Sequence, residues 1–372
     1  MQNTIGKMNR SGNTHLRTPR GAERLYVDAA HRHKRLVGRI DEIVSSWGYL
    51  PVQTPVFDFY DVYQALLNER SAKDVYRLVD REGDVLMLRS DVTLFLAKQM
   101  GMSLTHAELP VRVAYADTIL RHQDEEDISR NEFFQTGVEL IGVPGLDGDL
   151  EVIVLLRELL DGIGLTDAVI HLGSRQLVDS MSTVFAREIG LSFLEAVEER
   201  SWPDVREILS TAFDESAAAR RTELLSFIGS WDEFEREQRA HLDKLSPAEA
   251  DAIAYLSSVG SLARDVSELR EIRVDLSEIG SQPYHTGIVF RAYVDGLDSA
   301  AATGGRYDAL LEQFGFPAPS VGFSVLVRKI DEIAVIDGDE NPPTIATADG
   351  EDFRARLASA RTLRATGRIA TV

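Results

Sequence analysis

Cysteine is absent from all 372 residues, which excludes disulfides, thiolate metal sites and cysteine nucleophiles together. No apolar run approaches the ~20 residues of a bilayer-spanning helix. The N-terminal stretch MQNTIGKMNRSGNTHLR has no hydrophobic segment of a secretory signal, so the expected location is the cytoplasm. Basic residues are in short supply: 40 Lys and Arg face 60 Asp and Glu, for a formal charge of -20. That balance repels polyanions, and nucleic acid is not an expected partner. Also missing are a Walker loop, a glycine-rich dinucleotide fingerprint, HExxH and GxSxG. His31 and His33, two apart in a helix, face different sides and make no metal clamp. Neither a metal nor a cofactor is expected.

What is present is a chain with 44% hydrophobic residues, enough for a sizeable core. Ala30, Val37, Ile40, Val44 and Trp47 recur at helical spacing and Gly48 supplies a stop. YLPVQTPVF comes next as an extended segment whose Pro51 and Pro55 confine it to a sheet edge or a subunit interface. VYRLVDREGDVLMLR reads as two strands around a turn, DVTLFLAKQM as a helix, and PVRVAYADTILRHQ and NEFFQTGVELIG as two more strands joined by the acidic loop DEEDIS. The expected fold is α+β, a mostly antiparallel sheet flanked by helices. These shifts divide the chain into five segments: a mobile tail at 1–17, a first core part at 18–173, a helical insertion at 174–268, a second core part at 269–336, and a short strand-helix-strand segment at 337–372.

Alternate residues of a strand share a face, so Gln135, Gly137 and Glu139 line up together. A carboxylate and an amide flanking a residue without a side chain form a seat for the nitrogens of a small ligand, though a solvated strand face answers the same pattern. Asp91 and Thr93 offer a second carboxylate and a hydroxyl; Asp91 equally suits a helix N-cap. Tyr284 and His285 supply rings, or are satisfied core residues of a strand. TGGRYD reads as a turn before a helix with Arg306 and Asp308 in surface ion pairs. Arg121 ends a strand beside the acidic loop, whose acids are its simplest partners.

In this order the segments resemble the catalytic core of histidyl-tRNA synthetase, a class II aminoacyl-tRNA synthetase, from TPRGAERL at Thr18 to about Ile330. GYLPVQTPVFD is similar to motif 1, whose proline, here Pro55, lies at that family's dimer interface. LRHQDEEDISRNEFFQTGVELIG is similar to motif 2, and GGRYDALL with SVGFSVLVRKI to the histidine-site segment and motif 3. The resemblance implies an amino-acid pocket of Asp91, Thr93, Gln135, Glu139, Tyr284 and His285, with Arg121 meeting the ligand carboxylate. Asp91 stands where the family has Glu, and His285 where it has a second Tyr.

The activating groups differ. The family's catalytic Arg falls on Gly280, the motif 2 Glu and Arg fall on Gln123 and Asp124, and the motif 3 Gly-Leu-Glu-Arg run reads Leu326, Val327, Arg328, Lys329. Lysine does not replace the arginine fork at a phosphate. A synthetase-like core with these losses, ending in a short tail where an anticodon-binding domain is expected, is similar to the regulatory subunits of ATP phosphoribosyltransferase. That likeness implies no catalytic residues, a self-dimer, a short-form catalytic subunit as partner, and histidine as effector. The rival is an active amino-acid adenylating enzyme with a displaced cation, Arg291 or Lys329.

Overall fold

The computed structural model describes residues 21–22, 25–122, 131–241, 244–266, 272–280, 282–336, 346–368 and 370–371. The expected N-terminal tail, Gln123 and Asp124 lie outside them. The first half runs α1 (Val27–Ser46), β1 (Leu50–Pro51), β2 (Phe57–Phe59), α2 (Tyr60–Tyr63), α3 (Glu69–Asp74), β3 (Arg77–Val79), β4 (Val85–Leu88), α4 (Val92–Ser103), β5 (Val111–Leu120), β6 (Glu132–Ile141), α5 (Gly145–Gly162) and β7 (Val169–Ser174). Then come α6 (Arg175–Ser182), α7 (Arg187–Glu198), α8 (Trp202–Ser210), α9 (Glu215–Leu225), β8 (Ile228–Ser230), α10 (Trp231–His241) and α11 (Pro247–Val266). The chain returns through β9 (Ile272–Asp275), β10 (Ile288–Tyr293), β11 (Ala302–Arg306), β12 (Ser320–Leu326) and α12 (Val327–Ile330), and ends with β13 (Ala346–Thr347), α13 (Phe353–Ala365) and β14 (Ala370–Thr371).

Nine strands form one sheet in the order β1-β5-β6-β12-β11-β10-β7-β9-β8. Only β1–β5 and β7–β9 pair in parallel, so the sheet is predominantly antiparallel. β1, with its proline, takes the edge, where a missing N–H costs no ladder bond. Alternation sorts the faces. Val138, Leu140, Val321, Phe323 and Val325 pack under α1 and α5 in the main core, while Val113 and Ile141 turn the other way to meet Leu94, Phe95 and Met100 of α4. In α1 the buried stripe is Leu36, Ile40, Ile43 and Val44; Gly48 at φ +84° then reverses the chain.

The stretch between β7 and β9 is not wholly helical. β8 pairs with β9 and adds the ninth strand; three residues carrying a glycine are too short a signal to read from sequence. Phe193, Val197, Leu209, Leu225, Phe234, Ile253 and Leu256 of this stretch join the same core as the sheet, so it does not bury a core of its own. The last segment pairs β13 with β14 over Ala348, Ala360 and Ala370. Among the described residues no helix is long and apolar enough to cross a membrane.

Arg306 departs from expectation. It is buried, joined to the fully buried Asp149 of α5 and to Asp308, with the Gly145 carbonyl accepting from it as well. Tyr255 of α11 donates to the same Asp149. At the end of β11 the guanidinium is buried, and its charge is matched by the buried Asp149 and the half-exposed Asp308.

Candidate functional site

Strand register builds the floor of a cavity of about 140 Å³. Across β6, β12, β11 and β10, one row of paired residues runs Gly137, Ser324, Thr303, Arg291 and the next runs Glu139, Gly322, Gly305, Val289. Small residues leave the middle open. A Cβ on Gly322 would lie 1.7 Å from Glu139 Oε2, and one on Gly305, in the same row, would lie 2.9 Å from the His285 ring. Gly304 and Gly305 are therefore mid-strand, in β11, and not in a turn; the chain beyond them makes a single 3-10 turn at Leu311–Phe314.

All seven residues singled out from the sequence line this one cavity. Asp91 does two things at once: its Oδ1 caps α4 by accepting from the Leu94 N–H at 2.9 Å, and its Oδ2 accepts from the Tyr284 hydroxyl at 3.1 Å. Arg121 donates to the Ser90 carbonyl at 2.6 Å and stands 3.6 Å from Asp91; the acidic loop lies outside the described residues. Glu139, 1% exposed, accepts from Thr93 Oγ1 at 2.5 Å and from the Tyr307 hydroxyl. Gln135 is buried too, and its Oε1 has no hydrogen-bond partner among the described residues.

Gly137 plays a different part from the one expected. A Cβ there would lie 2.4 Å from the Tyr115 ring and hydroxyl, so the space it frees is filled by Tyr115 from the neighbouring strand. Tyr284 and His285 precede β10 in a turn instead of lying within a strand, because Pro283 and Gly287 bracket them. Tyr307, Gln282, Thr303 and Ser324 also line it, with the apolar Ile119, Phe323 and Leu326. Tyr307 lay inside the GGRYD segment; the signal for Thr303 and Ser324 was the period-two face they share with Gln135 and Glu139.

Electrostatics reflect burial. Desolvation raises the Glu139 carboxyl to about 8, with Asp91 adding to the rise and the Thr93 and Tyr307 hydroxyls opposing it. No cation bonds to it among the described residues. Burial, then the charges of Asp91 and Glu139, push the Tyr284 hydroxyl well up. Burial, reinforced by Arg175, lowers His285 to about 3, so its ring is neutral at physiological pH. The site holds two carboxyl groups and, in its own lining, one cation, Arg121.

Gly280 adopts φ +81°, and a Cβ there would lie 2.2 Å from His285 Nδ1. The His285 ring thus occupies the direction a side chain at 280 would take. Of the two candidate displaced cations, Lys329 rests on the Ser299 hydroxyl, and its ammonium is lowered by burial. Arg291 is paired with the buried Glu278 at 2.7 Å and lines an adjoining chamber of about 390 Å³ that shares Asp91, Arg121, Gln282 and Tyr284 with the cavity. In α12 Arg328 bonds Asp331, which also holds His33. No cluster of three or more potential metal ligands occurs among the described residues.

The sequence profile of the family described as histidyl-tRNA synthetase matches residues 21–330. A relative from Moorella thermoacetica, named ATP phosphoribosyltransferase regulatory subunit, is 33% identical over 362 residues, 96% of this chain and 92% of that protein. The chain belongs to the histidyl-tRNA synthetase-like family of ATP phosphoribosyltransferase regulatory subunits. A second relative of that name, from Geobacter sulfurreducens, is 28% identical over 94% of this chain and 81% of its own length. Two solved structures share the fold. One, from Bacillus halodurans C and titled ATP phosphoribosyltransferase regulatory subunit/histidyl-tRNA synthetase, has a TM-score of 0.83 at 24% identity over 96% of this chain and 92% of that one. A histidyl-tRNA synthetase from Nostoc sp. PCC 7120 has a TM-score of 0.76 at 18% identity over 96% and 85%. The fold class is thus the class II synthetase one.

Proposed function

We propose that the chain is a non-catalytic regulatory subunit that assembles with short-form ATP phosphoribosyltransferase catalytic chains, is required for their activity at the first step of L-histidine biosynthesis, and binds histidine for feedback control. One observation carries this reading: Glu139 is a buried carboxyl group hydrogen-bonded by Thr93 and Tyr307 with no cation of the protein attached to it among the described residues. A buried acid of that kind calls for a positive ligand group. Glu139 and Asp91 take the ammonium or imidazole nitrogens, Thr93 and Gln135 orient them, Tyr284 and His285 pack the ring, and Arg121 meets the carboxylate. Inhibition results when histidine binds one quaternary state better than another, since only differential affinity shifts such an equilibrium. The exposed Leu50, Val56 and Phe57 around the motif 1 segment support a self-dimer through that edge, within the cytoplasm.

The test is calorimetry of histidine on the assembled complex. Glu139→Ala should weaken binding by ~10-fold or more, as expected for loss of a charged hydrogen bond; unchanged affinity would place the effector elsewhere. Arg291, at the chamber wall, supports a second reading, an adenylating enzyme with a displaced cation. ATP–pyrophosphate exchange driven by histidine decides for that reading, and its absence decides against it.

A further inference from the structure

The cavity and the chamber beside it place their charges differently: Glu139 lines only the first, and Arg291 lines only the second, together with Asp74 and Glu198. Glu139 stands at the β6 side. Arg291 stands three strands away on β10, one register row over, with Ser324 and Thr303 as the only residues between them on its row once Gly137 is covered by Tyr115. Three inter-strand steps span roughly 14 Å, and the long arginine side chain takes up part of that distance. The interval left suits a molecule with a cationic group at one end and an anionic group at the other.

Arg291 is prepared for such a role. Its Nε is tied to Glu278 Oε2 at 2.7 Å, and Glu278 is itself buried and accepts from the Gly280 N–H. Among the described residues the Arg291 side chain makes no other hydrogen bond or ion pair, so the rest of its donor fork is left for the chamber, which it lines with Arg121 and Gln282 and with the acids Asp74, Asp91 and Glu198. A guanidinium held by one edge and open at the other is suited to a planar oxyanion. Gly280, by contrast, has no side chain to offer, and His285 closes the space where one would stand.

We propose that Arg291 is the specificity residue for the ligand carboxylate: held by Glu278 on β10, it receives the anionic end of an amino acid whose nitrogens are held by Glu139. The proposal deepens the amino-acid reading above and rests on it. Arg121, pinned by the Ser90 carbonyl and close to Asp91, makes the second and weaker contact to that carboxylate, because part of its charge is already matched.

The experiment compares histidine with histidinol, which has an alcohol in place of the carboxylate, by calorimetry on the complex with the catalytic chain. The wild-type protein should prefer histidine by at least ~10-fold. Arg291→Gln should bring the ratio close to one while leaving histidinol affinity nearly unchanged. A histidine preference retained at its wild-type value in Arg291→Gln overturns the proposal. Should that variant melt early because Glu278 has lost its partner, the double variant Arg291→Met/Glu278→Gln removes the stranded acid, and the same two outcomes decide. Failure of the underlying reading looks different: the wild-type protein would then bind neither compound.

Discussion

Thr93 Oγ1 donates to Glu139 Oε1 at 2.5 Å and so ties the first turn of α4 to the middle of β6. With Tyr307 donating to the other oxygen, the carboxyl group is held in one orientation before any ligand arrives. Such preorganisation reduces the ordering cost of binding.

Ligand binding should release a proton. Burial raises Glu139 to about 8, so at pH 7 it is mostly protonated, whereas a cationic ligand group requires the ionised form. Histidine affinity should therefore rise between pH 6 and 8, by up to ~10-fold per unit. Calorimetry at pH 7 in two buffers of different ionisation enthalpy should report close to one proton released; in Glu139→Gln that release should vanish.

The same group affects stability. Its folded pKa, about 8, exceeds the ordinary 4.5, so between those values the folded protein binds more protons than the unfolded chain. Its favourable contribution is full below about 4.5 and is lost as pH climbs through 8. Urea unfolding of the ligand-free protein should show Glu139→Gln gaining on wild type across that window, by roughly 2–5 kcal/mol at the upper end. A constant difference at every pH would contradict the assignment.

Substitution separates the two duties of Asp91. Asp91→Asn keeps an oxygen for the Leu94 N–H and should leave thermal stability within ~0.5 kcal/mol, while Asp91→Ala should cost ~1 kcal/mol through loss of the cap. Both should weaken histidine binding. Equal melting of the two variants would show that the cap contributes nothing.

Gly322→Ala tests the floor. Its Cβ would sit 1.7 Å from Glu139 Oε2 and 2.4 Å from the Val138 carbonyl, whereas Gly38 in α1 has nothing within 4 Å of its Cβ position. Thermal melts should show Gly322→Ala destabilised by ~1–3 kcal/mol, and Gly38→Ala neutral or stabilised by up to ~1 kcal/mol. Histidine binding should fail only in the first.

Much of this arrangement was legible because periodicity and order suffice for it. The alternation around Gln135, Gly137 and Glu139 placed two cavity residues on one face, and Pro51 placed its strand at an edge. Burial of polar groups was less visible. Arg306 looked like a surface ion-pair partner, because its buried mate Asp149 lies far away in sequence and on another element. Gly137 looked like room for a ligand, because nothing local shows that Tyr115 crosses from the adjacent strand. β8 was missed for its length, and the turn at Tyr284 because the hydrophobic run after it reads as one strand.

Gly280 and His285 constrain each other. Any side chain at 280 meets the imidazole, and its φ of +81° penalises every L-residue besides. An arginine there would have to displace the ring and strain the turn together, so the pair acts as a lock that no single substitution at 280 opens.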